Sequence, residues 1–138
     1  MKKYDFVIGI DPGVNTGVAV YCRPEKMLKV VQTATLLEAQ KFVGAFDSQK
    51  QFLVRMEDAR KRKWFGDKGR EVLQGAGSIK RDCQLWEEFL QTNGIPYELV
   101  APKNNKTNTT AEYFGKITGW TGRTSEHARA AAMLCFGF

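Results

Sequence analysis

Phe6-Val7-Ile8-Gly9-Ile10-Asp11-Pro12-Gly13-Val14-Asn15-Thr16-Gly17-Val18-Ala19-Val20-Tyr21-Cys22 is the stretch that decides the fold. Residues 6–10 are an unbroken apolar run stopped by Asp11-Pro12-Gly13, the pattern of a buried strand ending at a turn. Residues 18–22 read as a second strand, with Asn15-Thr16-Gly17 as a hairpin-type turn between the two. Residues 27–35, rich in Val and Thr and preceded by the turn Arg23-Pro24-Glu25-Lys26, read as a third. Three strands joined by such short turns predict an antiparallel meander.

Downstream the period changes. Leu36, Leu37, Phe42, Val43 and Phe46 are spaced for a helix over 36–46 that crosses back over the sheet. Residues 52–56 form a short buried strand that stops at Glu57-Asp58. A basic stretch over 60–70 leads into a long amphipathic pattern, Val72, Ala76, Ile79, Cys83, Trp86 and Leu90, which Asn93-Gly94 ends. Residues 97–100 are a last strand, 103–110 a polar loop, 111–117 a short helix and 119–123 a turn. Ser125 is placed to N-cap a final helix, with Glu126 in its first turn. The order β-β-β-α-β-α-β-α predicts an α/β fold, with three antiparallel strands, then parallel strands reached by crossovers, and helices on both faces.

The chain's 138 residues suit a single domain spanning 1–138. Nothing in it is long and apolar enough for a membrane span, and the acid before the first apolar run argues against a signal peptide. A formal charge of +6 and a pI near 9.3 favour a polyanionic partner. Cys22, Cys83 and Cys135 are odd in number, widely spaced and set among apolar residues. They read as small buried hydrophobes in a reducing cytoplasm, not as a zinc site or a disulfide framework.

The acids are where chemistry is expected. Asp11 ends the first strand and Glu57 the fourth. If those strands are neighbours, two carboxylates converge at the sheet edge where ligands of open α/β sheets bind. A divalent cation that prefers oxygen ligands, such as Mg²⁺, would relieve their repulsion. Two separate strand-end acids in solvent are the plain alternative.

Three motifs resemble those of the RuvC-type junction resolvases. Ile8-Gly9-Ile10-Asp11-Pro12-Gly13 with Thr16-Gly17 is similar to the first, and Val54-Arg55-Met56-Glu57 to the second. Ser125-Glu126-His127-Ala128-Arg129-Ala130-Ala131-Ala132-Met133-Leu134 is similar to the C-terminal helical motif. They occur in the family's order across almost the whole chain. The resemblance implies a ribonuclease-H-like fold and a Mg²⁺-dependent endonuclease, with Mn²⁺ as substitute and two cations per active site. It implies Asp11, Glu57 and His127 as metal ligands, four-way DNA junctions as substrate, and a homodimer acting in DNA recombination and repair. The compact length is compatible with a phage or prophage member.

One position departs from the pattern. Ala130 stands where the family has its final Asp, and alanine offers no oxygen to a metal. The chain is then a natural inactive member, or the residue was changed on purpose, or a neighbour compensates. Glu126, four residues earlier on the same helical face, is the nearest acid able to do so. Asp58 is expected to face away along the strand or to open the next loop.

Arg60, Lys61, Arg62, Lys63, Lys68 and Arg70 are placed to neutralise phosphates, with Trp64 or Phe65 wedged against bases. Lys103 and Lys106, with Lys116 beyond them, form a second basic set. A solvated charged loop is the alternative. Symmetric incision of a junction calls for two active sites about a two-fold axis, and the helix face of Ile79, Cys83, Trp86 and Leu90 is the expected pairing element, with ordinary core packing as the alternative for the same apolar face. Three other readings stay open: a junction-binding protein that no longer cuts, a RuvC-like RNA-processing nuclease, and a fragment of an actin-like ATPase. The last is disfavoured because no second domain is present to close over nucleotide.

Overall fold

A strand that is apolar on both faces belongs in the middle of a sheet covered on both sides. In the computed structural model, which describes residues 4–46, 51–61, 70–102 and 109–138 (side chains of 70–76 excepted), β1 (Phe6–Asp11) takes that place. β2 (Asn15–Cys22) pairs antiparallel with β1, and β3 (Met27–Thr35) antiparallel with β2. On the other side β4 (Phe52–Glu57) pairs parallel with β1, and β5 (Tyr97–Val100) parallel with β4. The sheet order is β3-β2-β1-β4-β5. This is the α/β mixed sheet, three antiparallel strands and then parallel ones, that the sequence predicts.

Helices cover both faces. α1 (Leu36–Gly44) and α2 (Arg70–Thr92) pack on one face, where Ile8, Ile10, Val54 and Met56 meet Ala39, Val43, Cys83, Trp86 and Leu90. α3 (Ala111–Thr118) and α4 (Glu126–Cys135) cover the other, where Val7, Ala19 and Tyr21 meet Phe114, Ala128, Ala131, Ala132 and Cys135. All three cysteines are buried and free.

Helix boundaries follow local chemistry. Thr35 and Glu38 form a reciprocal capping box at the start of α1, and Ser125 accepts the Ala128 amide at the start of α4. At the end of α2 the Gly94 amide donates to Gln91 and the Ile95 amide to Leu90, a Schellman turn. Gly94 has φ 65°, the left-handed conformation that this turn needs.

Two expectations are corrected. Asn15-Thr16-Gly17 is not the hairpin turn; β2 already begins at Asn15, and the connection lies over residues 12–14. Gly17 pairs with Asp11, and the buried Thr16 hydroxyl donates to the Gly13 carbonyl at 2.7 Å, closing the loop from inside. The apolar face of α2 is also not free for a second copy. Cys83, Trp86 and Leu90 are fully buried against the sheet, and of the four residues named only Ile79 is exposed. Their spacing encodes core packing. Among the described residues no helix is long and apolar enough to cross a membrane.

Candidate functional site

Side chains alternate across a strand, and that parity sets the site. On β1, Ile8 and Ile10 point to α1 and α2, so Val7, Gly9 and Asp11 point to α4. On β4, Val54 and Met56 point to α1 and α2, so Arg55 and Glu57 point to α4. Because Ile10 pairs with Met56 in parallel register, Asp11 and Glu57 emerge side by side at the C-terminal edge. Their carboxyl groups face the same cleft, close enough for each to act on the other.

α4 brings the remaining groups, and two glycines let it come close. A Cβ on Gly17 would lie 1.9 Å from the His127 carbonyl oxygen, and a Cβ on Gly9 1.9 Å from the Ala131 carbonyl oxygen. The helix backbone therefore rests directly on the strand backbone, with small buried residues Ala128, Ala131 and Ala132 at the contact. Each end is tied. The Arg129 guanidinium donates to the Thr109 carbonyl at 2.6 Å and to the carbonyl and hydroxyl of Thr124. At the far end Arg55 Nε donates to the Leu134 carbonyl at 2.8 Å. Ser125 also hydrogen-bonds Thr33 of β3.

This docking sets His127 Nδ1 3.3 Å from Asp11 Oδ2. Asp11, Glu57, Glu126, His127 and Ala130 line one cleft of about 220 Å³. Burial pushes the Asp11 carboxyl above its ordinary pKa; hydrogen bonds with Glu57 and His127 pull it back, and the charge of Glu126 adds to the rise. Three acids in one cleft, one of them reluctant to ionise, is an arrangement that a cation would relieve. Two carboxylates are oxygen donors of the kind that Mg²⁺ and Mn²⁺ prefer, and the imidazole beside them is a softer donor that Mn²⁺ takes more readily than Mg²⁺. Among the described residues no three His, Cys, Asp or Glu side chains form a ready-made metal cage. Ala130 is buried on the cleft wall and offers only a methyl group there.

The expected basic surface is described in part. Arg60 is ion-paired with Asp58 and Glu87, and Lys61 Nζ donates to the Leu99 carbonyl at 3.0 Å. Arg70 opens α2. Arg62, Lys63, Trp64, Phe65, Lys68, Lys103 and Lys106 lie outside the described residues. Lys116 sits beside Glu112 on α3 at 3.7 Å. Asp58 faces away from Glu57, as strand parity requires, and is buried.

Gly9 and Gly17 were not singled out as site-forming residues by sequence reasoning. Their signal was present: two glycines on paired strands, facing a helix of the form Ala-x-Ala-Ala-Ala, imply a backbone-on-backbone contact.

No family model matches the chain, and no curated protein sequence matches it. Among solved structures it is similar to Thermus thermophilus RuvC in complex with a Holliday junction substrate. The identity is 18%, the match covers 95% of this chain and 90% of that one, and the TM-score is 0.49.

Proposed function

We propose that residues 1–138 form one metal-dependent nuclease domain that hydrolyses phosphodiesters in branched DNA, four-way junctions above all. The observation that carries this reading is the meeting of Asp11, Glu57 and His127 in one cleft on the strand edge, each at its motif position. Asp11 and Glu57 would hold Mg²⁺ or Mn²⁺ through oxygen, with His127 as a further ligand. When bound, such cations, two in the active form, would supply an activated water and neutralise the leaving oxygen. His127, 3.3 Å from Asp11, would also take or give a proton. By the family resemblance, the bond that breaks leaves a 5′-phosphate and a 3′-hydroxyl. Basic residues from Lys61 to Arg70, with Lys103 and Lys106, would hold phosphates, and Trp64 or Phe65 would stack on bases. Paired incision calls for a homodimer, and a cytoplasmic role in recombination and repair follows from the substrate.

Ala130 favours a second reading, a junction-binding protein that cuts poorly or not at all. One experiment separates them. Four-way junctions and linear duplex of the same sequence compete for the protein, and cleavage with Mn²⁺ is followed for the unaltered chain and for Ala130→Asp. The expected result is junction preference in both proteins, slow cleavage by the first and cleavage faster by orders of magnitude by the second, since two-metal hydrolysis depends on each carboxylate. Equal affinity for duplex would sink the junction reading. Fast cleavage by the unaltered chain would assign the missing ligand's role to Glu126. Absence of cleavage by both would leave the binding protein.

A further inference from the structure

Adjacent residues at a strand end point to opposite faces. Glu57 turns toward α4, so Asp58 turns toward α2, where only 3% of it is exposed. A buried carboxylate needs a partner. Arg60 supplies a planar fork: Nε donates to Asp58 Oδ1 at 2.8 Å, Nη2 to Oδ2 at 3.1 Å, and the Arg60 amide to Oδ1 at 3.0 Å. Nη2 reaches on to Glu87 Oε1 of α2 at 2.7 Å. Tyr97 of β5 donates its hydroxyl to Glu87 Oε2 at 2.6 Å and accepts from Gln91 at 2.9 Å. Backbone bonds complete the frame: the Asp58 amide donates to Val100 at 2.8 Å and the Lys61 amide to Asp58 at 3.0 Å. Cys83 Sγ lies 3.8 Å from the Glu57 carbonyl oxygen.

The carboxylates of Asp58 and Glu87 engage the guanidinium together and raise its pKa, the Asp58 hydrogen bond contributing most. Burial alone would raise the Asp58 carboxyl; the Arg60 bonds outweigh that and hold it below its ordinary range. Nε and Nη2 are thus committed, and with two carboxylates beside it the guanidinium has little net charge to offer a phosphate; one that approached Nε or Nη2 would have to displace a charge-assisted pair.

We propose that Arg60 is a positioning residue and not a phosphate ligand: with Asp58, Glu87 and Tyr97 it clamps the end of β4 to α2 and β5 and so fixes the backbone that carries Glu57. The proposal rests on the reading of Glu57 as a metal ligand. It also divides the basic stretch: Arg60 is an internal strut, and DNA contact begins at Lys61 or beyond. Glu57 then meets a cation with its approach set from behind, in the way that outer contacts orient the ligands of metal sites.

The test uses the full chain. Arg60→Lys keeps the charge and loses the fork. Val43→Ala, on α1, controls for general loosening of the core. Mn²⁺ affinity is measured by the paramagnetic resonance of free Mn²⁺, and amide exchange at Asp58 and Lys61 is followed without metal. Arg60→Lys should weaken Mn²⁺ binding by about 10-fold or more and speed exchange at both amides, while Val43→Ala leaves Mn²⁺ affinity unchanged. Unchanged affinity and exchange in Arg60→Lys would overturn the clamp. If the unaltered chain binds no Mn²⁺, the metal reading of the cleft fails, and the exchange data alone decide the clamp. For the phosphate question the paired change Arg60→Gln with Asp58→Asn removes the buried Asp58 charge together with its cation and leaves Glu87 on its Tyr97 hydrogen bond. Its junction binding should keep the salt slope of the unaltered chain; a slope smaller by about 0.9 would make Arg60 a phosphate contact.

Discussion

The two faces of β1 are built from opposite materials. Toward α1 and α2 the strand presents Ile8 and Ile10, which meet Trp86, Leu90, Met56 and Val43 in a core of large side chains. Toward α4 it presents Val7, Gly9 and Asp11, and the helix answers with alanines. Large side chains give much buried apolar area and a tolerant distance between layers. Glycine against a helix carbonyl gives less area and almost no freedom in distance. The first face holds the fold together, and the second sets the spacing between His127 and Asp11. Stability and site geometry are therefore separable by mutation.

The largest effect should come from the first face. Trp86→Ala removes a fully buried indole and should cost about 3–5 kcal/mol, a large share of the roughly 5–15 kcal/mol that holds a small domain folded. Urea denaturation measures the loss, and the molecules still folded should lose less Mn²⁺ affinity than Arg60→Lys does, because Trp86 reaches the cleft only through Glu87 beside it on α2. A larger fall would show that the faces are coupled beyond that clamp.

Gly17→Ala acts on the second face. Its Cβ would meet a backbone oxygen, which cannot swing aside as a flexible side chain can. The expected stability loss is smaller, about 1–3 kcal/mol, yet Mn²⁺ affinity should fall about 10-fold or more because His127 is carried away from Asp11. Gly9→Ala meets Ala131, one turn farther from the cleft, and should cost similar stability with a weaker effect on metal. The same metal effect from both would mean that α4 moves as a whole.

Asp11→Asn should change stability least and shows its sign through pH. Burial first, and then the charge of Glu126, raise the Asp11 carboxyl, while Glu57 and His127 partly offset them. Without metal the folded chain thus keeps this proton to higher pH than the unfolded chain does. Its contribution to stability falls as pH rises from the ordinary carboxylate pKa through the raised one. Asp11→Asn lacks that penalty, so its stability relative to the unaltered chain should increase over that window. A relative decrease would mean that the folded state favours the ionised carboxylate.

Much of this was legible in the sequence because it depends on local period. The apolar run of β1, the Val and Thr pattern of β3, the Ser125 cap and the Asn93-Gly94 stop each announce themselves within a few residues. Asp11 and Glu57 could be paired because a βαβ connection places strand ends on one edge. Three features were not legible. Thr16 and Gly17 resemble turn residues, and only the register shows that they pair within β2 and make room for α4. The period of Cys83, Trp86 and Leu90 reports an apolar face without saying whether a sheet or a second copy covers it. Arg60 is one cation in a basic run, and its partner Glu87, with the Tyr97 that holds Glu87, lies far away in sequence.

The most direct test of the central claim, that α4 docked on two glycines completes a divalent-cation site with Asp11 and Glu57, is a crystal soaked in Mn²⁺ and measured for anomalous scattering. A peak bonded to oxygens of both Asp11 and Glu57, with His127 turned toward it, is the expected result. No peak at saturating Mn²⁺, or one that Asp11 and Glu57 do not share, would contradict it.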